Sequence, residues 1–315
     1  MNLICKMIFG SHLYGTNTKS SDIDYKGIFL PSKEDIFLGR VQKSYNESTK
    51  KGSDSKNTPD DIDTEIYSLQ YFIKLACEGQ TVAIDMLHAP DSCVLFKTPI
   101  WDAIVSNRKK FYTKNLKAFI GYARKQAAKY GVKGSRLSAA GDVIRFLNSH
   151  SGDLRLSDLW DGLPIGAHSY MVDQTPNGLR QYQICGKIIQ ESCRVDYVLG
   201  ILNNFYEAYG KRAQQAAENK GIDWKAISHA LRAAYQVKEL LTDNTVTFPL
   251  PNAEYLKSVK LGGMDYTTEV LPVLEGLMDE VEYLSSESEL PEKVSMKFWD
   301  KFLIDTIERE VINVK

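Results

Sequence analysis

An α+β fold is what the sequence predicts: a small mixed β-sheet core with helices, followed by a mainly helical C-terminal domain. Two patterns point there. Short apolar runs bounded by glycine, proline or polar clusters crowd the N-terminal third, and beyond it apolar side chains recur at three- and four-residue steps. The 315-residue length suffices for two cores, which places one domain at 1–100 and a second at 101–315, with an inserted Gly/Ser-rich region at about 131–190.

Residues 3–9 form a mostly apolar run that reads as a buried strand, and 10–16 follow as a glycine-rich turn. A second strand is expected at 24–30, where Pro31 ends its ladder. The polar stretch 42–61, rich in Ser, Lys and Asp, reads as a loop. A third strand at 62–67 leads into a helix at 68–78, which presents Leu69, Phe72, Ile73 and Ala76 on one face and closes at Gly79. Residues 82–87 fit either a strand or a buried turn.

A helix is expected at about 106–130, with Tyr112, Leu116, Phe119, Ala123 and Ala127 as its core face and Lys110, Lys114, Lys117 and Lys125 on another side. A short helix at 138–147 and a strand or hairpin arm at 182–186 interrupt the Gly/Ser/Pro-rich region. Helical patterning resumes at 192–218 and 224–241. After the break at Pro249-Leu250-Pro251, short helices are expected at 253–259 and 266–284, and an amphipathic segment at 294–311.

An apolar fraction of 43% with 25% charged residues argues against disorder. No apolar run reaches the length of a membrane span, and the N-terminus has no secretory leader pattern, so the chain reads as cytoplasmic with no membrane partner. Cysteines at 5, 77, 93, 185 and 193 form no C-x-x-C pair and read as buried free thiols. The 39 basic and 40 acidic residues nearly cancel but are sorted. From Arg108 through Lys117 and Arg124 to Arg136 the charges are all basic, whereas from Asp265 to Glu292 they are all acidic. A small net charge therefore does not exclude a nucleic-acid partner.

A strand running into Gly10-Ser11 offers a tight turn, backbone N–H groups and a hydroxyl for phosphate oxygens. Asp22 and Asp24, two apart at the start of a strand, project from one face. Two carboxylates held together need a cation between them, and a hard, oxygen-seeking ion such as Mg²⁺ is the simplest. Taken alone, an S-D-x-D string more often caps a turn. Here it follows a Gly-Ser turn and enters an apolar strand, which favours the metal.

Gly10-Ser11-His12-Leu13-Tyr14-Gly15-Thr16 and Ser21-Asp22-Ile23-Asp24-Tyr25-Lys26-Gly27-Ile28-Phe29 resemble the DNA polymerase beta-like nucleotidyltransferases. The closest likeness is to the predicted nucleotidyltransferases associated with RNA repair. The resemblance implies that residues 1–100 are a nucleotidyltransferase core, that Ser11 contacts a triphosphate, and that Asp22 and Asp24 bind Mg²⁺ or Mn²⁺. Asp63 or Glu65 would complete the acidic set. The subfamily's acid lies six residues before the Leu that opens the next helix, as Asp63 does before Leu69, so Asp63 is preferred as the third catalytic carboxylate.

His12 in the turn, Lys26, His229 and Arg232 are further candidates for nucleotide or phosphate contact. Asp85 reads as structural in preference to a base or sugar contact. Residues 229–232, 239–241 and 247–252 match the family's helical domain, whereas 131–181 do not. The implied activity is metal-dependent transfer of a nucleoside monophosphate from a nucleoside triphosphate such as ATP to an acceptor hydroxyl. The basic helix 106–136 points to an RNA or tRNA-like 3′ end, with Tyr112, Tyr122 and Tyr130 available to stack on bases. A protein or small-molecule hydroxyl is the alternative acceptor. An inactive nucleotide-binding regulatory module is the non-enzymatic alternative.

Overall fold

The computed structural model describes residues 2–49, 58–114, 134–166, 168–217 and 220–313. The N-terminal elements are β1 (Asn2–Phe9), α1 (Gly10–Tyr14), β2 (Ile23–Leu30), α2 (Lys33–Phe37), β3 (Ser44–Ser48) and β4 (Ile62–Ser68). Next come α3 (Leu69–Cys77), α4 (Thr81–His88), β5 (Val94–Lys97) and α5 (Pro99–Ser106). Then follow α6 (Gly134–Asn148), β6 (Ser169–Val172), β7 (Gln181–Ile184), β8 (Lys187–Gln190) and α7 (Val195–Ala217). The last helices are α8 (Trp224–Asp243), α9 (Ala253–Lys260), α10 (Leu271–Glu287) and α11 (Met296–Ile307). The result is a mixed sheet with flanking helices and a mostly helical C-terminal region.

Two compact units divide the chain. The first comprises Met1–Ala127, Asp223–Asp265 and Glu269–Lys315, and the second Ala128–Ile222 with Tyr266–Thr268. In the first, the five strands lie in the order β3-β4-β2-β1-β5. β1 runs antiparallel to β2, and β2 runs parallel to β4, which makes the sheet mixed. Ile4 and Cys5 of β1 and Ile28, Phe29 and Leu30 of β2 are consecutive buried residues, so both faces of the sheet are covered along that stretch. Gly27 is required at the crossing of these strands, since a Cβ there would lie 2.7 Å from the Cys5 carbonyl oxygen.

β3 occupies part of the stretch read as a loop. Its Ser-Tyr-Asn-Glu-Ser sequence lacks an apolar alternation because it is an edge strand, with all but its first residue exposed. Residues 82–87 are neither strand nor turn but the centre of α4. Ala83 to His88 are all buried, so no polar face marks the helical period. His88 is fixed there by hydrogen bonds between Nδ1 and the Ile84 carbonyl and between Nε2 and the Tyr112 hydroxyl.

The basic helix does not start at 106. α5 ends there, a 3-10 turn spans Arg108–Phe111, and Tyr112 is extended. Phe111 and Tyr112 are both 1% exposed, so the chain turns inward where the helical reading has one face outward. Tyr112 is thus a core residue rather than a base-stacking one. Residues 115–133, including Tyr122 and Tyr130, lie outside the described residues.

Among the later helices, α8 buries Ile227, Leu231, Ala234, Val237 and Leu240. Trp299 of α11 is fully buried and stacks on Phe111 with ring centroids 3.8 Å apart, so the C-terminal segment docks within the first unit. In the second unit, β6-β7-β8 form a small antiparallel sheet, and β7 and β8 make a hairpin over the predicted arm. A separate core gathers Val143, Leu147, Trp160, Tyr182, Val198 and Leu202. The five cysteines are free, but only Cys5 is buried; the other four are partly exposed. Among the described residues, no helix is long and apolar enough to cross a membrane.

Candidate active site

The site is assembled by strand register. Parallel pairing of β2 with β4 puts Asp24 directly opposite Asp63, with Lys26 opposite Glu65 on the next rung of the same face. Asp22 immediately precedes β2, in a turn shaped by the hydrogen bond from Thr18 N–H to Ser21 Oγ (2.9 Å). One carboxylate oxygen from each of Asp22, Asp24 and Asp63 lies within 4.8 Å of the others. A trio of oxygen ligands this close fits a divalent cation.

Gly10 opens α1 with φ +60°, and a Cβ at that position would lie 1.9 Å from Asp24 Oδ2. The glycine is therefore needed twice, for the backbone angle and for the space the carboxylate occupies. Beside it, Ser11 Oγ and His12 Nε2 are buried without a hydrogen-bond partner, and so is Arg232 Nε. Buried polar atoms are normally satisfied, so three such atoms around one acidic cluster mark a place built for a polar ligand.

Electrostatics agree with that reading. Burial and the neighbouring Asp22 raise the Asp24 carboxyl above its ordinary value, Asp63 adds to this, and Lys26 and His12 oppose it in part. The Asp24 carboxylate is short of positive charge as it stands, which is the condition a bound cation relieves.

A cavity of about 360 Å³ opens from these acids toward α8 and α9. Its far wall carries Lys225, His229 and Arg232 of α8 and Lys260 of α9. Burial, with Arg232, Lys225 and Lys260 nearby, pushes His229 down to about 4. Burial and Lys225 also lower Lys260, against the pull of Asp22 and Asp24. Arg232 is aimed by its neighbours: its guanidinium lies 4.1 Å from the Tyr14 ring centroid and donates to Asp85 Oδ2 at 3.0 Å. Asp85 also accepts from the Tyr14 hydroxyl (2.9 Å) and Gln236 Nε2 (2.7 Å).

Glu65 is placed differently from the three aspartates. It accepts from Lys26 Nζ at 2.7 Å and from the Tyr67 hydroxyl at 2.5 Å. Burial alone would raise its carboxyl, but these two donors hold it below the ordinary value. Gly10, Ser11, Asp22, Asp24, Lys26, Asp63, His229 and Arg232 all line the 360 Å³ cavity, and His12 lies beside it on α1.

Lys225 and Lys260 were not among the residues singled out from sequence. Lys225, His229 and Arg232 follow one another at four- and three-residue steps, so one helical stripe through His229 and Arg232 would have added Lys225. Lys260 carries no comparable signal, because its place depends on how α9 packs on α8.

A mixed sheet that brings a Gly-Ser helix start and three aspartates together defines the class: a DNA polymerase beta-like nucleotidyltransferase fold with a candidate three-aspartate metal site. The chain belongs to the RNA repair pathway DNA polymerase beta family, RlaP, whose pattern matches residues 1–147. It is 40% identical, over 96% of its own length and 96% of the relative's, to an uncharacterized 38.9 kDa protein encoded in the nrdC-mobD intergenic region of Enterobacteria phage T4. No solved structure matches the chain.

Proposed function

We propose that the protein transfers a nucleoside monophosphate from a nucleoside triphosphate such as ATP to a terminal hydroxyl of an RNA or tRNA-like acceptor in the cytoplasm. The observation that carries this reading is a cavity with Asp22, Asp24 and Asp63 on one side and Lys225, Lys260 and Arg232 on the other. An anionic ligand that brings cations to the carboxylates suits both sets of charges. A metal triphosphate is such a ligand. The RNA in the family's description supports the acceptor.

In this reading residues 1–100 are the catalytic core, and α8 and α9 complete the nucleotide site. Mg²⁺, or Mn²⁺, held by Asp22, Asp24 and Asp63 would neutralise phosphate charge and lower the pKa of the acceptor hydroxyl. Ser11 Oγ and His12 Nε2 bind phosphate oxygens, and Arg232, Lys225 and Lys260 hold the pyrophosphate end. His229, neutral near pH 7, faces the nucleotide. The acceptor oxygen forms a bond to the α phosphorus as the bond to pyrophosphate breaks, and Asp63 takes the hydroxyl proton. Glu65 serves by fixing Lys26 rather than as a ligand.

Each labelled triphosphate is incubated with Mg²⁺ or Mn²⁺ and either RNA or protein acceptors. Pyrophosphate release with label on RNA is expected, falling at least roughly a hundredfold in both Asp22→Asn and Asp24→Asn while circular dichroism is unchanged. Full activity in both variants overturns the carboxylate roles. Label on protein alone moves the acceptor to a side-chain hydroxyl. No pyrophosphate release under any combination leaves the inactive nucleotide-binding module.

A further inference from the structure

Lys26 follows Asp24 by two on β2, so the two side chains project from the same face of the sheet. Three neighbours hold its ammonium. Glu65 Oε2 accepts from Nζ at 2.7 Å, and the ring centroids of Phe9 and Tyr67 lie 5.8 and 5.9 Å away. Glu65 is anchored in turn, accepting from the Tyr67 hydroxyl at 2.5 Å and from the Ser44 hydroxyl at 3.4 Å. A lysine head group is normally mobile on its four-carbon stem, and here it is fixed beside the acids. One of its three N–H donors goes to Glu65, which leaves two that can serve a ligand.

A second cavity, of about 310 Å³, adjoins the first along β4 and the edge strand β3. Among the described residues, Asp24, Lys26 and Asp63 line both. Their common border is thus one rung of the sheet, where Asp24 stands opposite Asp63, together with Lys26 on the next. The other lysines and arginine of the first cavity, Lys225, Lys260 and Arg232, belong to α8 and α9, whereas Lys26 belongs to the sheet. In a displacement at phosphorus the entering and leaving oxygens lie roughly in line. With the pyrophosphate end held by the α8 and α9 cations, the entering oxygen comes from the opposite side and the α phosphorus lies at the border of the two cavities. Lys26 is the chain's own cation at that border.

Resting on the nucleotidyltransferase reading above, we infer that Lys26 is a catalytic residue whose ammonium donates to a non-bridging oxygen of the α-phosphate. The acceptor oxygen gains its bond to phosphorus while the bond to the pyrophosphate oxygen breaks, and Lys26 stays protonated throughout. Its work is electrostatic. Negative charge that gathers on the α-phosphate oxygens in the transition state meets an ammonium already fixed in place, so the gain falls on kcat more than on binding. Glu65 and Tyr67 are positioning residues for that ammonium.

The test pairs a binding measurement with a stereochemical one. Lys26→Ala and Lys26→Gln, the second of which keeps a donor for Glu65, should lower kcat with ATP and a short RNA roughly a hundredfold, the loss typical of one transition-state donor. Their Kd for α,β-methylene ATP with Mg²⁺ should stay at the wild-type value, which also reports an intact site. Lys26→Arg should recover part of the rate, and Glu65→Gln should lower kcat less than Lys26→Ala does. The two diastereomers of α-thio-ATP then identify the contact, because sulfur is a weak hydrogen-bond acceptor. In wild type the diastereomer with sulfur toward Lys26 is slowed, and in Lys26→Ala that penalty should shrink while the other diastereomer's is unchanged. Wild-type kcat in both variants, a loss of rate that follows weakened binding of the analogue, or sulfur effects identical to wild type in Lys26→Ala overturns the inference. Absence of pyrophosphate release from wild type would instead strike the nucleotidyltransferase reading, so the two failures are separable.

Discussion

Asp24 is half-buried beside Asp22 and Asp63, and its carboxyl is raised from the ordinary 3.8 by burial first and Asp22 second. A carboxyl with a raised folded-state value stabilises the fold fully below its unfolded value and loses that contribution as pH rises through the raised one. In metal-free protein, the melting temperature of wild type relative to Asp24→Asn should therefore fall as pH increases from below 3.8 to neutrality. Mg²⁺ should reverse the loss at neutral pH, by about 2.7 kcal/mol at a hundred times its dissociation constant, and should do so weakly in Asp24→Asn. Differential scanning fluorimetry across pH with and without metal checks both; a wild-type curve parallel to the variant's would show that the carboxylates do not repel. At this scale the Asp22/Asp24 pair was legible because a two-residue spacing on a strand fixes a common face. Asp63 sits on a strand far along the chain, and sequence preferred it to Glu65 only through the family resemblance; in the structure the register sets it opposite Asp24, and Glu65 pairs with Lys26.

Among the elements, α1, α4 and α8 are tied together by Tyr14, Asp85, Arg232 and Gln236 around a carboxylate that is 1% exposed. Removing Asp85 leaves the Arg232 guanidinium deep in the first unit without its charge partner. Asp85→Ala is expected to cost about 3–5 kcal/mol, read as a lowered urea midpoint. A midpoint unchanged from wild type would mean that the network is solvated and contributes little. The structural role expected of Asp85 is the one its contacts describe, and its reach to Arg232 also gives it a part in aiming the site. Two of the misread elements, β3 and α4, have a common cause. β3 at the sheet edge is too exposed, and α4 in the core too buried, to display the half-apolar periodicity by which strands and helices are recognised.

For the whole molecule, the segregation of charge along the chain bears on the acceptor. Part of the basic run is engaged within the first unit: Lys110 Nζ lies 4.7 Å from the Phe298 ring centroid, and Lys114 pairs with Glu292 at 3.8 Å. Replacing Lys110, Lys114 and Lys117 together by Ala should still weaken RNA binding and flatten its salt dependence, by up to roughly 0.9 in log–log slope for each phosphate no longer neutralised. Filter binding at several salt concentrations measures this, with thermal melting alongside to detect loosening of α11. An unchanged slope would take the RNA path away from this segment.

The sequence by itself determined the α+β class and the Gly10-Ser11 and Asp22/Asp24 motif. Each is a local pattern whose period or spacing is set by one strand, turn or helix. Tertiary structure alone decided that Asp63 gathers with Asp22 and Asp24 while Glu65 pairs with Lys26, turning a preference into a geometry, and that Lys225 and Lys260 line the same cavity as the acids. These are relations between elements far apart in sequence. They depend on sheet register and helix packing, which cross-chain burial and hydrogen bonding select and no single stretch of sequence encodes.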